Sequence, residues 1–231
     1  MAATTLQFPL PIQGVIVDLD GTMLDTIADL TVATNQMLVV LGEQPLPESV
    51  VRTFVGKGLR RLVERALARS VDGVAEATAV TAAMPIFERC YAAVNGTQTQ
   101  IYPGVVAGLT QLRAAGFPLA CMTNKSSAFA LPLLARQDLA EFFSITVCGD
   151  TLPQKKPDPR PLLHICEQWG LAPAQVLMVG DSMNDVQAAR AAGCPIFAVP
   201  YGYTEGRAVQ RHEVDAIVAT LTECISLIKK V

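Results

Sequence analysis

The chain has 231 residues, 51% of them apolar, and a formal charge of −3 at neutral pH. That length accommodates one large domain or two smaller ones with a substantial buried core. The slight acidity argues against a nucleic-acid partner, which needs a concentrated basic surface. No apolar run reaches the ~20 residues of a bilayer-spanning helix, so no membrane partner is expected.

Residues 1–13 lack the basic start and long apolar stretch of a secretion signal, and Pro9 and Pro11 interrupt them. The expected location is therefore the cytoplasm. Residues 15–19 form a continuous apolar run and predict a strand. From there to Gly104 no further strand pattern occurs. Residues 25–41, 59–68 and 74–94 instead carry helical patterns, punctuated by Gly42, Pro45, Pro47, Gly56, Gly58 and Gly73. Beyond Gly104 strands and helices alternate: helix 104–115, strand 117–122, strand 144–148, helix 160–169, strand 176–179, helix 183–192 and strand 196–199. Three of the helices stop at Gly116, Gly170 and Gly193, the expected signal for a helix end.

Apolar strands separated by helices predict an α/β fold, a Rossmann-like parallel-sheet core covered on both faces. The helical stretch after the first strand reads as an inserted α-helical cap domain. The expected division is 1–22 and 100–231 for the core and 23–99 for the cap. Loops at the carboxyl ends of parallel strands flank the ligand crevice, so a domain inserted there would cover the site. The six cysteines are at least 18 residues apart, with no C-x-x-C pair, and read as reduced structural thiols. His164 and His212 lie away from every motif and read as structural.

Four segments at or beyond predicted strand ends carry the chemistry: Asp18-Leu19-Asp20-Gly21-Thr22, Thr123-Asn124, Lys156-Pro157 and the run Gly180-Asp181-Ser182-Met183-Asn184-Asp185. Two carboxylates two residues apart on an extended chain face the same side. Left alone they would repel, and one would take a proton. A divalent cation or an incoming phosphoryl group resolves that conflict. Asp181 and Asp185 follow another apolar strand and add the hard oxygen donors that Mg2+ prefers. The hydroxyl of Thr123 and the backbone at Asn124, ahead of a helix, suit phosphate oxygens. Lys156, held extended before Pro157, suits a point charge beside a phosphoryl group.

This ordered set resembles the phosphatase branch of the haloacid dehalogenase superfamily over nearly the whole chain. The resemblance implies Asp18 as the nucleophile that forms an aspartyl-phosphate. It implies Asp20 as the acid that protonates the leaving oxygen and then as the base that activates water, with its backbone carbonyl on the metal. The implied Mg2+ set is Asp18, Asp20, Asp181 and Asp185, the last acting through water or by orienting Lys156. Thr123 and Asn124 would bind phosphate, and Lys156 would neutralise Asp18 and the transferred group. Lys57, between Gly56 and Gly58 in the cap, is the candidate to meet a substrate carboxylate.

Residues 149–157 and 180–193, with Tyr201-Gly202-Tyr203, are similar to bacterial phosphoglycolate phosphatases, which implies 2-phosphoglycolate as the phosphate ester. A phosphosugar mutase shares these motifs and differs in its cap. A dehalogenase needs neither Asp20 nor a metal, and a two-component receiver domain places its lysine after its last acidic residue. A non-catalytic phosphate-binding module would be expected to lack Asp18, Asp20 or Asp181. No feature of the sequence bears on oligomeric state.

Overall fold

The computed structural model describes residues 7–231; residues 1–6, part of the segment expected not to be a secretion signal, lie outside it. In chain order the strands are β1 (Leu10–Ile12), β2 (Gly14–Val17), β3 (Leu24–Asp25), β4 (Gln100–Ile101), β5 (Leu119–Met122), β6 (Ile145–Val147), β7 (Val176–Gly180), β8 (Ile196–Ala198), β9 (Ala216–Ile217) and β10 (Ile228–Lys230). The helices are α1 (Ile27–Val40), α2 (Glu48–Phe54), α3 (Leu59–Ala68), α4 (Ala77–Val94), α5 (Val105–Ala114), α6 (Ser127–Arg136), α7 (Arg160–Trp169), α8 (Met183–Ala192) and α9 (Cys224–Leu227).

The core sheet has the order β6-β5-β2-β7-β8-β9, and every neighbouring pair is parallel. Alternation along each strand divides its side chains between two faces. Val15 and Val17, with Leu119, Cys121, Leu177 and Val179, pack under α5 and α6. Ile16, with Ala120, Met122, Val176 and Met178, packs under α7 and α8. Central strands buried on both sides have no polar face, which is why they read as unbroken apolar runs. The chain winds one way from β2 to β5 and β6 and the other way to β7, β8 and β9. The sheet therefore reverses at β2, where a crevice opens at the carboxyl ends of the strands.

Helices α1 to α4 form a second apolar cluster, built on Leu30, Met37, Phe54, Val63, Phe87 and Tyr91, to which Phe129 and Tyr203 of the sheet unit also contribute. Two short strands make the neck. Contrary to expectation, the stretch before Gly104 does contain strand: β3 pairs antiparallel with β4, two residues on each side. Two residues are too few to express a period of two. The neck is tied by Asp29, which is buried in α1 and accepts five hydrogen bonds of 2.6–3.1 Å from residues 96–99. All six cysteines are free, five of them buried and Cys90 half-buried. No helix among the described residues is long and apolar enough to cross a membrane.

Candidate active site

Strand register assembles the site. Val17 of β2 lies opposite Cys121 of β5 on one side and Val179 of β7 on the other. The chain leaves these three strands along one edge, at Asp18, Thr123 and Asp181. The Asp18 N–H continues the ladder to the Val179 carbonyl, and the Thr123 N–H continues it to that of Val147, both at 2.9 Å. After Asp18 the chain turns sharply, with Leu24 N–H donating to the Leu19 carbonyl at 3.0 Å. Gly21 takes φ +88° in that turn, and a Cβ there or on Gly202 would run into the Asp181 carboxylate. Both positions therefore require glycine for the two loops to close around Asp181.

The two carboxylates of the first motif are paired with two different lysines. Lys156 Nζ lies 2.7 Å from Asp18 Oδ1 and 2.7 Å from Asp185 Oδ1, and donates to the Met122 carbonyl at 3.1 Å. Lys125 Nζ lies 2.9 Å from Asp20 Oδ1, which also accepts from the Thr26 hydroxyl at 2.8 Å. Asp185 is fully buried, and its Oδ2 accepts from Ser182 N–H and Oγ at 3.0 and 2.8 Å. Asp181 accepts from the Thr22 hydroxyl at 2.7 Å and from Tyr203 N–H at 2.6 Å.

One oxygen from each of Asp18, Asp181 and Asp185 falls within 4.8 Å of the others. Two of these buried carboxylates, Asp18 and Asp185, share the Lys156 ammonium, while the partners of Asp181 are the neutral donors Thr22 and Tyr203. Burial pushes the Asp18 carboxyl up to about 7; Lys156 pulls it down and Asp185 pushes it further up. Burial likewise raises Asp181 well above the ordinary carboxylate range, with Asp185 and Asp18 adding to the rise. Burial alone would lower the Lys156 ammonium, but Asp18 and Asp185 outweigh it and the net shift is upward. Uncompensated negative charge on hard oxygen donors is the arrangement a divalent cation relieves, so these residues fit one.

Asp18, Asp20, Thr123, Asn124, Lys125, Lys156 and Asp181 form the floor of a small cavity of about 40 Å3. Leu30, Val55, Leu59 and Leu62 of the helical unit give it an apolar roof. By the space one water requires, about 10–15 Å3, it holds about three waters or one small group of that bulk.

Most residues singled out in the sequence come together here. Thr123 lines the cavity with its hydroxyl, which accepts the Lys125 N–H at 3.1 Å. Asn124 also lines it, but its side-chain amide bridges the carbonyls of Gly56 and Lys156, both at 2.9 Å. Lys57 stands apart. Gly56 and Gly58 line the cavity, whereas the Lys57 side chain is 46% exposed and its Nζ lies 3.7 Å from Glu205.

No signal in the sequence pointed to Lys125, Arg65 or Glu205, and Thr22 stood in the first motif without a role. Lys125 directly follows Thr123-Asn124, yet nothing local indicates that its amine reaches a carboxylate 105 positions away. Glu205 accepts from buried Arg65 of α3 at 2.6 Å and from Asn184 of α8 at 2.7 Å, joining the helical unit to the sheet unit.

Residues 12–193 match the family model for haloacid dehalogenase-like hydrolases. The chain is 52% identical over 225 residues to the phosphoglycolate phosphatase of Nitrosospira multiformis, covering 97% of this chain and 99% of that one. It is 44% identical to the phosphoglycolate phosphatase of Thiobacillus denitrificans, covering 96% and 98%. Among solved structures it resembles that of a predicted phosphoglycolate phosphatase from Haemophilus somnus, with a TM-score of 0.87, 29% identity, and coverage of 93% and 96%.

Proposed function

The chain belongs to the haloacid dehalogenase-like hydrolase family, and on that footing we propose that it is a magnesium-dependent phosphatase that hydrolyses 2-phosphoglycolate to glycolate and phosphate. The observation that carries the proposal is Asp18: buried, 2.7 Å from Lys156, and set in the floor of a cavity that also holds Asp20. Two relatives that align over nearly their whole length bear the name phosphoglycolate phosphatase.

Asp18 attacks phosphorus as the bond to the leaving oxygen breaks, giving an aspartyl-phosphate. Asp20 gives its proton to that oxygen, then takes a proton from the water that attacks the same phosphorus, releasing phosphate and regenerating Asp18. Lys156 offsets charge on the carboxylate and on the transferred group. Thr123 offers its hydroxyl to a phosphate oxygen, while Asn124 fixes Lys156 through that residue's main-chain carbonyl. Asp18 and Asp181, with the main-chain carbonyl of Asp20, would hold Mg2+, which when bound neutralises phosphoryl charge. Asp185, with both oxygens already occupied, orients Lys156 and the loop at Ser182.

Residues 23–99 act as the cap over a core whose described residues are 7–22 and 100–231. Their apolar roof excludes bulk water while the covalent intermediate forms. Lys57 could serve in selection only by leaving Glu205 for a substrate carboxylate.

A screen of small phosphate esters tests this reading. Turnover should be fastest on 2-phosphoglycolate, vanish with a chelator and return with Mg2+. A preference of about tenfold or more for another ester, a difference of about 1.4 kcal/mol at the barrier, would overturn the substrate. Full activity in excess chelator would overturn the metal.

A further inference from the structure

Lys125 is 3% exposed and lies in the cavity wall, yet it does not approach Asp18. Its ammonium is held between two partners. One is Asp20 Oδ1, at 2.9 Å. The other is the ring face of Tyr91, with Nζ 4.9 Å from the centroid. Tyr91 belongs to α4, is fully buried, and packs against Phe129 of α6 at 4.9 Å between centroids. A buried lysine demands compensation, and here a carboxylate and an aromatic face supply it together.

The same Asp20 oxygen also accepts from Thr26 at 2.8 Å. Both donors act on Oδ1, which leaves Oδ2 free of them. The two donors also fix the carboxyl's rotation, so Oδ2 keeps one direction.

We propose that Lys125 is a positioning residue for Asp20: it holds Oδ1, leaves Oδ2 to carry the transferable proton, and is itself held by Tyr91 of the helical unit. The proposal rests on the assignment of Asp20 as acid and base given above. As the bond from phosphorus to the leaving oxygen breaks, the proton passes from Oδ2 to that oxygen and a carboxylate remains. The adjacent ammonium then stabilises the new negative charge. In the second step the same carboxylate takes a proton from water. Because Tyr91 comes from α4, seating the helical unit on the sheet unit and orienting the acid become one event.

The test is the single-turnover rate of phosphoryl transfer with Mg2+ on two substrates, 2-phosphoglycolate and 4-nitrophenyl phosphate. The alkyl leaving group needs a proton, and the nitrophenyl group needs little. Lys125→Met should slow transfer from the alkyl ester about 10- to 100-fold, part of what a general acid contributes, and transfer from the aryl ester by less than about threefold. Lys125→Arg should recover part of the alkyl rate. Tyr91→Leu should show the same pattern at smaller size, and a larger loss than Tyr91→Phe, which keeps the ring face. Asp20→Asn, run beside them, separates the two claims. If it loses equally on both esters, Asp20 is not the acid and the proposal falls with that assignment. If Asp20→Asn discriminates while Lys125→Met loses equally on both or loses nothing, the assignment of Asp20 stands and that of Lys125 is overturned. Should Lys125→Met fail to fold by thermal melting, Lys125→Arg and Tyr91→Leu decide, and equal losses on both esters in these overturn it.

Discussion

Asp18 carries the tension between folding and function. Burial raises its carboxyl to about 7, although Lys156 lies 2.7 Å away. An acid whose folded value lies above its unfolded one binds more protons folded than unfolded. Its stabilising contribution is complete below the unfolded value, near 4, and is lost as pH rises through about 7. Asp18→Asn removes the charge and keeps the shape. The metal-free variant should therefore melt at or above the wild-type temperature at pH 8, gaining about 2–4 °C for each kcal/mol recovered. Its turnover should fall by about three orders of magnitude or more, as when a covalent catalyst is lost. Calorimetry and steady-state kinetics read the two effects separately. A destabilised variant with turnover within about tenfold of wild type would contradict both. Among the proposed site residues, Asp18, Asp20 and Asp181 were legible because acids at the ends of apolar strands have no ordinary structural use, and Lys156 only because Lys156-Pro157 falls in the same ordered set of motifs. Lys125 was not, because a lysine after Thr-Asn looks like any loop lysine until its partner is known.

Helix α6 shows how an element can hide from pattern and still form. It contains Pro132 and follows a polar loop, so its sequence reads as broken. Its first turn is held from another segment: Asp150 accepts from Ser127 N–H at 2.8 Å and from Ser127 Oγ at 2.9 Å. What burial Asp150 has works to raise its carboxyl, and the two Ser127 hydrogen bonds outweigh it, so the net shift is downward. A depressed carboxyl stabilises above its unfolded value and loses that contribution as pH falls through the folded one. Asp150→Ala should therefore destabilise by about 1 kcal/mol at pH 7, the usual worth of an N-terminal cap. The gap should close as pH drops below about 4, where the wild-type carboxylate is protonated too. Denaturant melts at several pH values would show it, and a gap independent of pH would mean the contact is not electrostatic. Helix α2 was missed for a different reason: seven residues rich in β-branched side chains carry little helical signal.

At the scale of the molecule, Glu205 joins the two units. It lies beyond β8 and accepts from Arg65, whose guanidinium is almost wholly buried and also bonds the carbonyls of Phe54 and Val71. Removing one member of a buried pair strands the other. Glu205→Ala should lower stability by about 3 kcal/mol and loosen the roof over the cavity. Hydrogen exchange should show that loss as faster exchange concentrated in α2 and α3, while the strands of the core sheet keep their protection. Uniform loss of protection would mean that Glu205 supports the whole fold and not the seating of the helical unit.

Although α2, α6 and the neck strands were not legible in the sequence alone, the alternation of the longer strands and helices, the parallel sheet, and the carboxylates at strand ends were. Each depends on residues a few positions apart, where period, turn chemistry and burial on both faces leave a local record. The partners of the buried polar and charged groups were decided only by the tertiary structure. Thr22 meets Asp181 across 159 positions, Lys125 meets Asp20 across 105, and Glu205 meets Arg65 across 140. Such contacts follow from the parallel register that brings β2, β5 and β7 to one edge and from the seating of four helices above it. A charged side chain carries no local sign of which distant partner will compensate its burial. That choice is made when packing removes water and leaves each charge only the counter-charges within reach.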